Sequence, residues 1–197
     1  SHSDVWDYRC NRSCIHYRQR RWQSEAENLD GTWNCDLFYS ADGSKIIFNH
    51  CESAGPCGDP AAKPDLEIYT MPTAGGGIIA AAMTRLTNNQ LADYDAYYSP
   101  DESTIAWPQL VSPNAWGGVG AWSIQAMDSD GSRQQSVVGD GFINSKPAWS
   151  LDGTTLYFRR LDGSSNGKWG LFSVLLNGQD LQRIEPVLPA NLEFSSN

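Results

Sequence analysis

The residues of this 197-residue chain that could do chemistry are three histidines, five cysteines and a few closely spaced carboxylates. His2 and His16 accompany Cys10 and Cys14 near the start of the chain, and His50 stands beside Cys51. Cys10-x-x-x-Cys14-x-His16 departs at both spacings from the Cys-x-x-Cys-His of haem attachment, and it has no second ligand pair of the kind structural zinc sites use. A disulfide is the simpler reading, and neither metal nor cofactor is expected. Gly-x-Ser-x-Gly is absent, and no serine has a His and Asp context suited to a nucleophile. Asp93/Asp95 and Asp128/Asp130 are paired carboxylates, but a glycosidase needs its pair across a cleft, which neighbours in one strand or turn do not supply. Asp128-Ser-Asp-Gly131 opens like a calcium loop, lacks the third acidic ligand and the distal Glu, and reads as a turn. No catalytic residue is expected, and the reading is non-enzymatic.

The cysteines say more about compartment than about catalysis. Cys10, Cys14, Cys35, Cys51 and Cys57 in a turn-rich chain suggest disulfides and an extracellular or periplasmic setting. A hairpin centred on Asp42-Gly43 places Cys35 opposite His50 and beside Cys51, so Cys35–Cys51 and Cys51–Cys57 both stand as candidate bridges. Asn11-Arg-Ser13 is a glycosylation sequon. The chain starts at Ser1 without a signal-peptide pattern, as a processed or truncated product would. No apolar run approaches the roughly 20 residues of a membrane span, and membrane insertion is not expected.

Charge narrows the partners. The net charge of −9 conceals an Arg-rich start, with Arg9, Arg12, Arg18, Arg20 and Arg21 within the first 21 residues. The remaining chain is strongly acidic and would repel a phosphate backbone, so nucleic acid is excluded. Arg18, Arg20 and Arg21 read either as a solvated tail or as a basic arm for an acidic surface, including that of a neighbouring copy.

These residues must be positioned by a repeat. Tyr39-Ser-Ala-Asp-Gly-Ser-Lys-Ile-Ile-Phe48, Tyr98-Ser-Pro-Asp-Glu-Ser-Thr-Ile-Ala-Trp107 and Trp149-Ser-Leu-Asp-Gly-Thr-Thr-Leu-Tyr-Phe158 align without a gap. Each reads as a β-hairpin whose Asp-Gly pair supplies the positive φ of a tight turn. Glu102 replaces the glycine in the second copy, which predicts a different turn type there. Trp149 and Phe158 should be buried on facing strands, with Asp152-Gly153 between them. Three further gapless segments end in a Gly turn: Ile68 to Gly75, Ile124 to Gly131 and Leu171 to Gly178. Thr84-Arg-Leu-Thr87, Gln135-Ser-Val-Val138 and Leu181-Gln-Arg-Ile184 supply short outer strands.

The expected unit is therefore a four-stranded antiparallel meander, at about 31–90, 91–140 and 141–190, after a divergent segment 1–30 and before a tail 191–197. The fold class is all-β, of β-propeller type with at least three blades. A spacing of 59 and then 51 residues between the turn aspartates exceeds the roughly 40–50 of a propeller blade. The excess falls in loops at residues 49–65, 75–83 and 108–120, where binding surfaces usually lie. Trp116 in the last loop, with Trp122 after it, offers aromatic contact surface for a protein or a glycan.

The Tyr/Trp-Ser-x-Asp-Gly hairpin, the strand into Met127-Asp-Ser-Asp-Gly131 and Thr84-Arg-Leu-Thr87 together resemble the TolB-like β-propeller repeat, over roughly residues 35–187. The resemblance implies the blade fold. It leaves function open, because such repeats occur in interaction proteins, in peptidase-associated propellers and in polysaccharide lyases. A ring of that family has six or more blades. Three blades leave two blade faces without neighbours, and repeat arrays draw their stability from neighbours. The chain is then a fragment, or completes a divergent blade from its ends, or finds its missing neighbour in another copy. The function expected is a propeller scaffold that binds proteins or self-assembles; the alternatives are a piece of a lyase or a carbohydrate-binding module.

Overall fold

A computed structural model describes residues 34–51, 66–73, 82–111, 121–161 and 169–184. Among them there is no α-helix, and three antiparallel meanders follow one another along the chain. The first sheet runs β1 (Asn34–Tyr39), β2 (Lys45–Cys51), β3 (Leu66–Pro72) and β4 (Thr84–Arg85) in spatial order. In the second, β5 (Ala92–Asp93) and β6 (Tyr97–Tyr98) both pair with β7 (Thr104–Leu110), which is followed by β8 (Trp122–Asp128) and β9 (Gln135–Val138). The third is β10 (Ile143–Trp149), β11 (Thr155–Leu161), β12 (Gly170–Leu175) and β13 (Gln182–Ile184). A single parallel pair, Ile143 with Trp122, ties the third sheet to the second.

The three hairpins are set by one device. The Ser40, Ser99 and Ser150 hydroxyls donate to the carboxylates of Asp42, Asp101 and Asp152 at 2.7, 2.6 and 2.6 Å. Each carboxylate also accepts the backbone N–H two residues on, at 2.8, 3.1 and 3.1 Å. These bonds favour the charged carboxylate: Asp42 is held down at about 2, mainly by the Ser44 N–H, and Asp101 and Asp152 are lowered, mainly by the serine hydroxyls. The aspartate therefore recurs because it closes a turn.

Glu102 corrects the expectation of a different turn. Its φ of 60° matches the 71° of Gly43 and Gly153. Its N–H bonds the Ser99 carbonyl at 2.9 Å, as Gly43 and Gly153 bond Ser40 and Ser150 at 2.9 and 3.0 Å. A side chain in this left-handed region costs about 1–2 kcal/mol. Against that cost, the Glu102 carboxylate accepts the Asp42 N–H of the first hairpin at 2.7 Å. The departure from glycine thus ties two neighbouring turns together.

Alternation along the strands gives each sheet a leading face toward its predecessor and a trailing face toward its successor. Ile47, Ile68 and Leu86 on the trailing face of the first sheet pack with Ala96, Ile105, Trp107 and Met127 of the second. Ala106, Ile124, Ala126 and Val138 on the trailing face of the second pack with Leu156, Phe158, Phe172 and Val174 of the third. Phe158 is buried as the repeat requires, and Asp152-Gly153 occupies the turn. Trp149 is only half-buried: it packs on the same cluster and spends its indole N–H on the Tyr97 carbonyl at 3.2 Å. On the leading face of the first sheet Phe48, Tyr69 and Met71 are buried and pack with Leu37, Ile46 and Met83.

The Cys35 register differs too. A bulge between Cys35 and Phe38 shifts β1 by one residue, so Cys35 lies opposite Asn49 rather than His50. Register read outward from a turn fails once an extra residue enters one strand.

Candidate functional site at the joints between sheets

The polar groups able to act chemically gather at the ends of the first strands that lie away from the turns. Eight residues before each turn aspartate stand Asn34, Asp93 and Asn144; eight after stand His50, Gln109 and Arg160. They are direct cross-strand partners in all three sheets. These positions lie on the leading faces of the second and third sheets, so their side chains enter the joints with the preceding sheet.

At the first joint Asp93 is fully buried. Its Oδ1 accepts the Trp107 indole N–H and a Gln109 amide N–H, both at 2.8 Å, and its Oδ2 accepts the Asn89 amide at 2.8 Å. All three donors are neutral. Burial dominates them and pushes the Asp93 carboxyl up to about 6. Glu67, also fully buried, accepts from Arg85 at 3.0 Å and from the Asn89 backbone at 2.8 Å, while its Oε2 has no partner. Asn89 thus bridges one buried carboxyl from each sheet.

The second joint repeats the plan with the acid and amide exchanged. Asp140, at the position of Asn89, accepts the Asn144 amide at 3.1 Å and forms an ion pair with Arg160. The Arg160 guanidinium also lies 4.4 Å from the Phe142 ring centroid and 5.0 Å from that of Phe172. The carboxylate here has a cation; that of Asp93 has none among its direct partners.

A second charged position lies six residues before each turn aspartate, at Asp36, Asp95 and Lys146. Asp95 and Lys146 take φ values of 43° and 55°, and their side chains form an ion pair at 2.7 Å between the second and third sheets. Both sit where the first strand is interrupted: between β5 and β6, and at the register shift of β10. Strain of this kind persists when the surroundings over-determine it.

The chemistry this arrangement supports is positional. Among the described residues no group of three or more His, Cys, Asp or Glu could hold a metal ion. Asp128 and Asp130 sit in the β8–β9 turn, Asp128 paired with Arg133 and Asp130 accepting the Ser132 N–H at 2.9 Å. His50 meets the Tyr69 ring edge-on at 5.0 Å. Trp122 is half-buried and packs on Tyr94, with ring centroids 5.2 Å apart. Cys35 and Cys51 fall in β1 and β2. Cys10, Asn11, Cys14, Arg18, Arg20, Arg21, Cys57 and Trp116 lie outside the described residues.

No family model matches the chain, and no curated protein does. Solved structures do. TolB from Acinetobacter baumannii matches with a TM-score of 0.53 at 18% identity, over 77% of this chain and 32% of its own. A puromycin-hydrolyzing peptidase of Mycobacterium tuberculosis matches at 0.58 and 20%, over 79% of this chain and 24% of its own. An oligogalacturonate lyase in complex with manganese matches at 0.57 and 16%, over 78% of this chain and 42% of its own. The chain has the fold of TolB-like β-propeller blades. It spans less than half the length of each of these three structures. The TolB-like blade comes with two enzymes and one TolB among them, so the likeness carries the fold alone.

The polar joints were missed in the sequence, although the signal was present. Extending the three gapless hairpins outward from the turn aspartates brings Asn34, Asp93 and Asn144 into one column, and Asn89 and Asp140 into another.

Proposed function

We propose that the chain is a propeller scaffold that acts by binding protein outside the cytoplasm and catalyses no reaction. One observation carries this reading. Glu67, Asp93, Asp140 and Arg160, the groups with chemical potential, are engaged by partners within their own sheets or in the segments that link successive sheets, while Tyr39, Val111, Leu151, Tyr157, Leu171 and Leu181 are large apolar side chains left exposed. A contiguous exposed apolar patch on a folded protein marks a contact surface. Five cysteines and the Asn11 sequon support an oxidising, secretory setting.

The competing reading is a lyase acting on acidic sugars, favoured by the likeness to the oligogalacturonate lyase. Incubation with polygalacturonate and manganese separates the two: the scaffold reading expects no unsaturated product, and sustained turnover refutes it. Thiol titration of the unfolded, unreduced chain tests the compartment. Fewer than five free thiols are expected, and five refute the oxidising setting.

A further inference from the structure

The second joint has lost two donors that the first one uses. In the first, Asp93 Oδ1 accepts the Trp107 indole N–H and the amide of its cross-strand partner Gln109, both at 2.8 Å. In the second, the gapless repeat sets Asn144, Phe158 and Arg160 at the positions of Asp93, Trp107 and Gln109. A phenyl ring has no N–H to give. Arg160 pairs with Asn144 across the strands, as Gln109 does with Asp93, but its guanidinium turns Nη2 to Asp140. Asn144 Oδ1 and Arg160 Nε are therefore both buried with no hydrogen-bond partner among the described residues.

Neither atom finds a partner by a turn of its own side chain. Asn144 Nδ2 donates to the Trp122 carbonyl at 2.9 Å and to Asp140 Oδ1 at 3.1 Å. Exchanging the amide oxygen and nitrogen would set an acceptor against two acceptors. The Arg160 guanidinium is fixed by Asp140 and by the Phe142 and Phe172 rings against which it lies. Asn144 is 0% exposed and Arg160 6%, so bulk solvent does not serve them. Folded proteins rarely leave such groups unpaired, because each would carry its full desolvation cost.

We propose that the second joint binds one buried water molecule, which accepts the Arg160 Nε–H and donates to Asn144 Oδ1. The two atoms have opposite hydrogen-bonding sense and stand on residues paired directly between β10 and β11. One water satisfies both, within the roughly two to four bonds that buried waters make. The exchange of indole for the smaller phenyl ring also removes bulk from the side of the acceptor where the Trp107 N–H stands in the first joint. The water thus replaces the donors that Trp107 and Gln109 supply there. Every group involved belongs to the second or third sheet or to the segment linking them, so the site is independent of whatever packs beyond the third sheet.

Water-selective ROESY on the intact, 15N-labelled chain tests this in solution. The Arg160 Nε–H should show a cross-peak to water of dipolar sign, opposite to that of hydrogen exchange. The Gln109 amide should show none, because its acceptor is the Asp93 carboxylate. Asn144→Leu keeps the shape of the side chain and removes the acceptor, so the Arg160 peak should disappear. An Arg160 N–H without a dipolar peak, a Gln109 peak of equal size, or an Arg160 peak unchanged in Asn144→Leu overturns the proposal. Should that variant fail to fold, a crystal structure of the wild-type chain at about 1.5 Å decides. A water oxygen within about 3.2 Å of both Asn144 Oδ1 and Arg160 Nε is expected. A direct bond between the two atoms, a protein group between them, or no density there refutes it.

Discussion

Asp93 should make this protein less stable as the solution is raised from pH 4 to pH 7. Its carboxyl is pushed up to about 6 from 3.8 by burial that its four neutral hydrogen-bond partners do not offset. A raised acid binds its proton more tightly in the folded chain than in the unfolded one. Its contribution is therefore fully present below the unfolded value and is lost as pH rises through 6. A shift of about 2 pH units corresponds to roughly 3 kcal/mol at neutral pH, with a slope of at most about 1.4 kcal/mol per pH unit within the window. The groups facing Asp93 are Thr87, Asn89, Trp107 and Gln109, and the nearest charged pair, Glu67 with Arg85, is reached through Asn89. The turn aspartates act with the opposite sign and lower: Asp42, Asp101, Asp130 and Asp152 are all depressed, so their stabilisation is lost only as pH falls below the usual carboxylate range.

Urea unfolding at half-unit steps from pH 4 to 7, on wild type and Asp93→Asn, measures the difference in slope. The single substitution sets an amide donor against the Asn89 amide and costs about 1–3 kcal/mol at every pH. The slope, rather than the absolute stability, is therefore the readout. An unchanged slope in Asp93→Asn, or a wild type that gains stability across the window, refutes the reasoning.

Three other perturbations test the joints and turns. Glu102→Ala keeps the left-handed strain and loses the bond to the Asp42 N–H, so denaturant unfolding should show a loss of about 0.5–1 kcal/mol; Glu102→Gly releases the strain and should lie near wild type. Trp107→Ala should cost about 3–5 kcal/mol by emptying the core between the first two sheets, and Trp107→Phe about 1–2 kcal/mol by removing a donor from Asp93, both read from the unfolding midpoint. Lys146→Met should cost less than about 1 kcal/mol and be blunted further by salt, because the ammonium of its pair with Asp95 is half-exposed.

Much of the fold was legible because it repeats. A turn that needs Ser, Asp and a positive φ within four residues announces itself three times, and the apolar runs behind it can only be strands. The Gly turns after Ala126-Met127 and Val174-Leu175 were legible for the same reason, with Gly131 at φ 89° and Gly178 at 81°. Glu102 misled because its compensation comes from a residue 60 positions away, across two hairpins. The bulge before Phe38 was hidden because β1 is only six residues long, too short for a break in its side-chain alternation to be read.

The sequence by itself determined the local units, since hairpin, turn and strand order depend on backbone preferences within a dozen residues. Only the tertiary structure decided which side chains face a neighbour. Asp93 and Asn144 occupy equivalent strand positions, but the cross-strand partner of Asp93 is the neutral Gln109, whereas that of Asn144 is Arg160, which pairs with Asp140. Tyr157 and Leu171 sit where Ala106 and Ile124 are sealed, and they are exposed because no described sheet follows theirs. Burial is a property of what packs across a joint, and residues far apart in the chain supply both sides of it.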